Sequence, residues 1–310
     1  MKAVRFHRYG DSDVLVHEEV ARPVPAAGQV LVKVAGTSFN PVDVAIRAGH
    51  LQEVFPLTLP HVPGIDVAGT VAGLGDGVTG WSAGDTVVAF LPMTADGAAA
   101  GYVAVPAEIL AAAPRTVDLA DAAALPATGL TAWQALFEHA GLRAGQSVLV
   151  NGAGGAVGGY AVQLAARAGA VVTATASARS ADRVRGHGAG EIIDYTAAPV
   201  TEAAGRRFDV VLNLVATTPD ETAALAGLVA DGGVFVSTTT PAPDDTGRAV
   251  RTVRVFARSD AAQLAGLVAR VDAGDLKIDV AARRPLADLA AVHDEAVTGR
   301  LAGKTVLIPA

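Results

Sequence analysis

From residue 146 to residue 256 the chain alternates six short apolar runs with helical stretches, and few folds accept that rhythm. The runs are Gln146-Ser147-Val148-Leu149-Val150, 170–176, Glu191-Ile192-Ile193-Asp194, Asp209-Val210-Val211-Leu212-Asn213, Gly233-Val234-Phe235-Val236-Ser237 and Thr252-Val253-Arg254-Val255-Phe256. Helical spacing covers 157–168, 180–187 and 220–229, and a further helix over 260–272 closes the series. Short, nearly continuous apolar strands are buried on both faces, as parallel strands are when helices cover the sheet. The pattern predicts an α/β chain with a doubly wound, parallel, six-stranded sheet.

The first 115 or so residues read differently. Strand-like runs at 14–16, 29–34, 67–71 and 85–90 are rich in β-branched residues and separated by Gly, Pro and Asp turns. Strands this short and this closely spaced suggest a small barrel or sandwich. Residues 119–139 are helical in pattern, with interruptions expected at Pro126 and Gly129. A last strand, Lys304-Thr305-Val306-Leu307-Ile308, exceeds the six already counted and is assigned back to the β region. The expected domains are therefore 1–116 with 277–310, and 117–276.

A chain of 310 residues holds two such domains without staples. The absence of cysteine excludes disulfides, iron–sulfur clusters, thiolate zinc sites and a cysteine nucleophile. A formal charge of −7 argues against a nucleic-acid or membrane-surface partner. The start, Met1-Lys2-Ala3-Val4-Arg5, has no apolar export core, and no long apolar run could span a bilayer; a cytoplasmic location is expected.

The sharpest motif is Val150-Asn151-Gly152-Ala153-Gly154-Gly155-Ala156-Val157-Gly158. It leaves a strand and opens a helix. On its last glycine it reads Ala153-x-Gly155-x-x-Gly158, one substitution from the dinucleotide-binding pattern of a Rossmann sheet. Small residues let the backbone approach a pyrophosphate, and the helix N-terminus offers free N–H groups with partial positive charge. An NAD site places a carboxylate at the end of the next strand. Here that region is Thr175-Ala176-Ser177-Ala178-Arg179, a hydroxyl and a guanidinium, which suit a 2′-phosphate. The cofactor expected is NADP(H). The plain alternative leaves Arg179 as a solvent-facing residue at a helix start.

Taken in order, Asn40-Pro41-Val42-Asp43, Arg47-Ala48-Gly49, Pro63-Gly64-Ile65-Asp66-Val67-Ala68-Gly69, Leu125-Pro126-Ala127-Thr128-Gly129-Leu130-Thr131-Ala132-Trp133 and the glycine turn resemble the medium-chain dehydrogenase/reductase superfamily. Within it they resemble the zinc-free quinone oxidoreductase branch. The resemblance covers nearly the whole chain. It implies a GroES-like small β-barrel domain beside the Rossmann domain, an active site in the cleft between them, and a homodimer, with the strand at 252–256 as a possible pairing edge. Zinc-dependent members carry cysteine, a His-Glu pair and a second cysteine where this chain has Asn40, Ile65-Asp66 and Ala127, so no zinc is expected. His61 lies nearby and is read as a turn or surface histidine.

The resemblance also implies site residues. Asn40 corresponds to an asparagine beside nicotinamide and substrate, and His50 falls where relatives often carry tyrosine near the substrate. Both are candidate hydrogen-bond or proton donors; an Asx turn before Pro41 and an exposed loop histidine are their plain alternatives. Arg47 is expected to be a structural anchor and Asp43 a helix cap or ion-pair partner. Thr128 corresponds to a threonine against the nicotinamide and Tyr195 to a tyrosine near the 2′-phosphate. Val215 and Ser237 follow strands whose carboxyl ends bind ligand, and Lys304 belongs to a Gly-Lys-x-x-Leu ending. With Gly155, Ala156, Val157, Gly158, Ser177 and Arg179 these complete the expected cofactor set. The chain departs from the family at Ala156, often glycine, and at Ala98-Ala99-Ala100-Gly101-Tyr102, which lacks a carboxylate.

Without a Lewis acid to hold an alkoxide, alcohol oxidation is disfavoured. Quinones and α,β-unsaturated ketones or aldehydes accept hydride more readily, and they are the expected substrates. An enoyl (thioester) reductase of a biosynthetic pathway is an alternative with the same chemistry. A non-catalytic NADPH-binding sensor or structural protein is another, from a different class. Loops 50–60, 92–98 and 239–250 would shape the acceptor pocket.

Overall fold

The computed structural model describes residues 1–244 and 247–310. Asp245 and Thr246, part of the 239–250 loop expected to shape the acceptor pocket, lie outside the described residues. The strands and helices are β1 (Lys2–Phe6), β2 (Leu15–Glu19), β3 (Gln29–Ser38), α1 (Pro41–Arg47), β4 (Asp66–Leu74), β5 (Thr86–Phe90), β6 (Tyr102–Pro106), β7 (Ala111–Ala112) and α2 (Pro126–Trp133). There follow β8 (Ser147–Asn151), α3 (Ala156–Arg167), β9 (Val171–Thr175), α4 (Ala178–Gly186), β10 (Glu191–Ile193), α5 (Val200–Ala203), β11 (Phe208–Asn213), α6 (Pro219–Ala226), β12 (Val229–Ser237) and β13 (Arg251–Arg254). The chain closes with α7 (Ala261–Asp272), β14 (Ala282–Pro285), α8 (Leu289–Val297) and β15 (Thr305–Ile308).

The chain divides into two compact units, Met1–Ala127 with Arg258–Ala310, and Thr128–Ala257. The second unit holds one six-stranded sheet in the order β10-β9-β8-β11-β12-β13. Every pairing in it is parallel. The order reverses at β8, the first strand of the series, so the carboxyl ends of β8 and β11 flank the switch point where such sheets take ligands. The six runs read from the sequence are these six strands. Their core contains Leu149, Ile193, Phe208, Val211, Leu225 and Phe235.

The first unit is built on a sheet ordered β14-β15-β3-β4-β5-β7, with β6 also pairing β3, and a separate β1-β2 hairpin. β15 returns to this unit as expected and pairs antiparallel with β3, Val306 opposite Ser38 and Leu307 opposite Thr37. That register brings Lys304 to the end of β3. The unit's edges differ from those expected at 116/117 and 276/277. The stretches 117–127 and 258–276, the latter containing α7, belong with the β unit. Hydrogen bonds explain this: Asp272 Oδ1 accepts the N–H groups of Arg115 (2.8 Å) and Thr116 (3.2 Å), and Ser259 Oγ donates to the Phe90 carbonyl (2.5 Å). Pro126 starts α2 rather than breaking it, in keeping with proline's tolerance of a first helical turn, and Gly129 lies inside it. No helix among the described residues is long and apolar enough to cross a membrane.

Candidate active site

In the second unit the glycine turn is built from main chain. Gly152 has φ +94°, a left-handed conformation that favours glycine, and its N–H donates to Thr175 Oγ1 at 2.8 Å. Thr175 donates in turn to Asn151 Oδ1 (3.0 Å), and Asn151 Nδ2 donates to Asn213 Oδ1 (2.9 Å). Three strand ends are thereby tied together behind the turn. Gly158 allows α3 to press against it: a Cβ there would lie 2.3 Å from Gly152 O and 2.5 Å from Ala153 Cα. A Cβ on Gly155, by contrast, would meet only Gly152 O, at 3.4 Å. Gly155 precedes the first residue of α3, and the N–H groups of Ala156, Val157 and Gly158 make no hydrogen bond among the described residues. Three orphan donors at a helix N-terminus behind a small-residue turn fit a pyrophosphate.

Ser177 precedes α4 and Arg179 lies exposed in its first turn. The Arg179 side chain has no hydrogen-bond or ion-pair partner among the described residues. Four residues on, Arg183 Nη2 donates to Gly154 O at 2.7 Å. This arginine escaped the sequence reading, although its spacing from Arg179 puts both on one helical face. Tyr195 is 52% exposed, just beyond β10. Val215 and Ser237 follow or end β11 and β12: Val215 N–H donates to Asn213 Oδ1 (3.3 Å), and Ser237 Oγ accepts from Thr239 N–H (3.2 Å). Thr128 is buried within α2.

The first unit holds a different construction, a buried polar cluster. Asp66, at the start of β4, is fully buried. Its Oδ2 accepts from Ser38 Oγ (2.5 Å), Asn40 Nδ2 (2.8 Å) and Lys304 Nζ (3.3 Å), and its Oδ1 from the Ala127 N–H (2.7 Å). Lys304 also donates to Asn40 Oδ1 (2.7 Å) and Phe39 O (3.1 Å), so its buried ammonium is turned to three protein acceptors rather than to the cofactor expected from the sequence. Asn40 Nδ2 donates to Ser38 O as well (3.2 Å). Both amide hydrogens of Asn40 are thus committed inside the protein. Asn40 therefore offers a ligand a fixed carboxamide rather than the free donor expected from the sequence.

Asp43 closes the N-terminus of α1 by accepting the Asn40 N–H at 2.8 Å, the capping role expected of it. Burial raises its pKa from 3.8 to about 7, against the lowering effect of the Asn40 N–H and of Lys304. Burial also lowers the pKa of Lys304, opposed by Asp66 and Asp43. Asp66 and Ser38 escaped the sequence reading as members of one cluster, because the partners come from four separated stretches.

Of the remaining candidates, His50 is exposed on the loop after α1, its main-chain N–H held by Ala45 O at 3.0 Å. Arg47 is 3% exposed, and its main-chain carbonyl accepts from Gly10 N–H. Its Nε and Nη1 have no hydrogen-bond partner among the described residues, so the anchoring there is by packing and main chain. His61 corrects the sequence reading: it is 4% exposed, not a surface residue. It pairs by main chain with Phe6 and sets its ring edge-on to that phenyl at 5.4 Å.

Two units of this kind, a parallel sheet whose glycine turn opens a helix and a β unit with a buried polar cluster, have the architecture of a two-domain oxidoreductase. The comparisons make the assignment more particular. The alcohol dehydrogenase GroES-like domain model matches residues 26–115, and the zinc-binding dehydrogenase model matches 187–307. A chloroplastic quinone-oxidoreductase homolog of Spinacia oleracea is 39% identical over 69% of this chain and 68% of its own. The quinone oxidoreductase of Lama guanicoe is 31% identical over 99% of this chain and 97% of its own. Among solved structures, the quinone oxidoreductase from Coxiella burnetii superposes with TM-score 0.89 at 27% identity, covering 99% of both chains. A mycobacterial protein complexed with NADPH gives 0.86 at 29% identity over 100% of both chains. The CurK enoyl reductase gives 0.84 at 25% identity over 100% of this chain and 99% of its own. The chain belongs to the medium-chain dehydrogenase/reductase superfamily, in its quinone oxidoreductase-like branch.

Some members of that superfamily hold zinc, and the donor set here does not fit it. Ile65 has no donor atom, and Ala127 supplies an N–H rather than a lone pair. The Asp66 carboxylate already accepts four hydrogen bonds, one of them from an ammonium group. Among the described residues no group of three or more His, Cys, Asp or Glu could hold a metal ion.

Proposed function

We propose that this protein is an NADPH-dependent, zinc-independent reductase that transfers hydride to a quinone or another conjugated carbonyl. The observation carrying this reading is the open first turn of α3, with three N–H groups that have no partner among the described residues, together with Arg179, likewise without a partner among them, which would meet a 2′-phosphate. Gly155, Ala156, Val157 and Gly158 hold the pyrophosphate through main chain. Ser177, Arg179 and Tyr195 take the 2′-phosphate end, and Thr128, Val215 and Ser237 the nicotinamide end. The similarity to the NADPH-complexed mycobacterial protein supports the same cofactor.

When bound, NADPH supplies a hydride from C4 of its nicotinamide. Asn40, held by Lys304 and Asp66, presents a rigid carboxamide to the reacting ring. His50, exposed and with no side-chain partner among the described residues, is the proposed proton source, with solvent as its replenishing pool. Quinone reduction adds the hydride and one proton to give the hydroquinone; enone reduction places hydride on the β-carbon and the proton on the α-carbon. The conjugated acceptor spreads the developing negative charge, so no alkoxide needs a Lewis acid. We also propose a homodimer. The outer edge of β13 pairs with no strand among those described, and Phe256 beyond it is 56% exposed.

The test is a panel assay with purified protein: menadione, a simple enone and an enoyl thioester, each with NADPH and with NADH. NADPH consumption by menadione or the enone is the expected result. Turnover confined to the enoyl thioester would shift the assignment to the enoyl reductase reading favoured by the CurK similarity. Tight NADPH binding with no turnover of any acceptor would favour a binding role.

A further inference from the structure

The buried cluster of the first unit does more than hold strands together. Three stretches of chain converge on Asp66, and the bonds from Ser38 Oγ and the Ala127 N–H tie β4 to two of them. Three further contacts act on one neutral side chain instead. Asp66 Oδ2 takes one hydrogen of the Asn40 amide, Ser38 O takes the other, and Lys304 Nζ reaches the amide oxygen at 2.7 Å. This arrangement has one solution. Turning the carboxamide over would set its NH2 against the ammonium and its oxygen against the carboxylate. A buried ion pair is an expensive way to gain stability, because apolar residues of similar volume often do as well or better. Its retention around an amide that offers a ligand one fixed face points to orientation.

We propose that Asp66 and Lys304 are positioning residues for the reductase reaction, clamping the Asn40 carboxamide in a single orientation without themselves touching cofactor or substrate. The inference rests on the reading above that Asn40 meets the reacting ring. Loosening the clamp leaves the NADPH cradle, in the other unit, intact, so the loss falls on turnover. A displaced catalytic contact of this kind costs roughly tenfold or more in kcat.

The test uses the full chain and four variants: Asn40→Ala, Lys304→Met, the double Asp66→Asn/Lys304→Met, and the triple with Asn40→Ala. Thermal unfolding, NADPH Kd and menadione-dependent kcat are read for each. Lys304→Met alone leaves a buried carboxylate unpaired and serves as the folding reference. The double variant removes both charges together; it is expected to recover most of the lost stability, to keep NADPH Kd within about twofold, and still to turn over roughly tenfold or more slowly. Adding Asn40→Ala to it is expected to cost nothing further, because the clamp acts only through that amide. Recovery of kcat together with stability in the double variant would overturn the proposal, as would a full additional loss in the triple. An unchanged kcat in Asn40→Ala alone would remove the underlying reading of Asn40, and the clamp's purpose with it, a result distinct from either of those.

Discussion

The glycine turn of the second unit and the polar cluster of the first are built by opposite means. The turn is local: nine consecutive residues, main-chain donors, and glycines whose missing Cβ atoms make room. The cluster is non-local: Ser38, Asn40, Asp66, Ala127 and Lys304 converge from across the chain, and side chains and a buried charge pair do the work. A site made of backbone is damaged by adding atoms. A site made of buried charge is damaged by removing them. The two regions should therefore respond differently to substitution, one in affinity for the cofactor and the other in stability and turnover.

The largest effect is expected in the cluster. Lys304→Met leaves Asp66 buried without its counter-charge, which should cost about 3–5 kcal/mol in denaturant unfolding. A cost below about 1 kcal/mol would mean the pair is not a working unit, and the contrast drawn here would fail.

In the turn, two alanine substitutions should separate. Gly158→Ala forces a Cβ into Gly152 O and Ala153 Cα, so roughly 1–3 kcal/mol of stability should be lost along with NADPH affinity. Gly155→Ala meets only one atom at 3.4 Å in an extended conformation that alanine adopts, so stability should hold while the methyl group obstructs the pyrophosphate. Equal stability loss in the two would show that neither glycine serves the ligand. Removing the Arg179 guanidinium should weaken NADPH by about 1.5–3 kcal/mol and leave NADH unchanged, as read by paired titrations. Equal weakening of both cofactors would cancel the 2′-phosphate role.

The smallest effect is a pair of opposed pH slopes confined to the first unit, each at most about 1.4 kcal/mol per pH unit. Asp43 has its pKa raised by burial from 3.8 to about 7, so it binds more proton in the fold, and its contribution is lost as pH rises through that window. His293 is lowered by burial, and by Arg47, from 6.5 to about 3, so its contribution is present above 6.5 and lost as pH falls. Between about pH 4 and 6.5 the two oppose each other. Asp43→Asn should leave a fold that weakens toward acid, and His293→Leu one that weakens toward neutral pH, both read by thermal unfolding across that range. Parallel slopes in the two variants would contradict the assignment.

Legibility followed the same divide. The six strands and the glycine turn were readable because each depends on neighbours in sequence: apolar runs and a glycine spacing. Asp66 appeared in the sequence only as a replacement at a metal-ligand position, and nothing local to it discloses that Lys304 lies beside it. The β15–β3 pairing makes that contact, and such registers are set by the whole sheet. Asp43 was readable as a cap because its partner is three residues away, but its raised pKa was not, since burial is a tertiary property. His61 was misjudged for the same reason: its environment is Phe6, 55 positions earlier. The edges of the units were misplaced because helix α7 follows the last parallel strand in sequence but is bonded through Asp272 to Arg115 and Thr116.

The proposed function requires that the glycine turn bind NADPH and that hydride transfer from its nicotinamide need no metal. The most direct test is the initial rate of menadione-dependent NADPH oxidation by the purified chain, measured before and after exhaustive treatment with a chelator. The expected rate is unchanged by the chelator and much higher with NADPH than with NADH. A rate abolished by the chelator and restored by added zinc would contradict it.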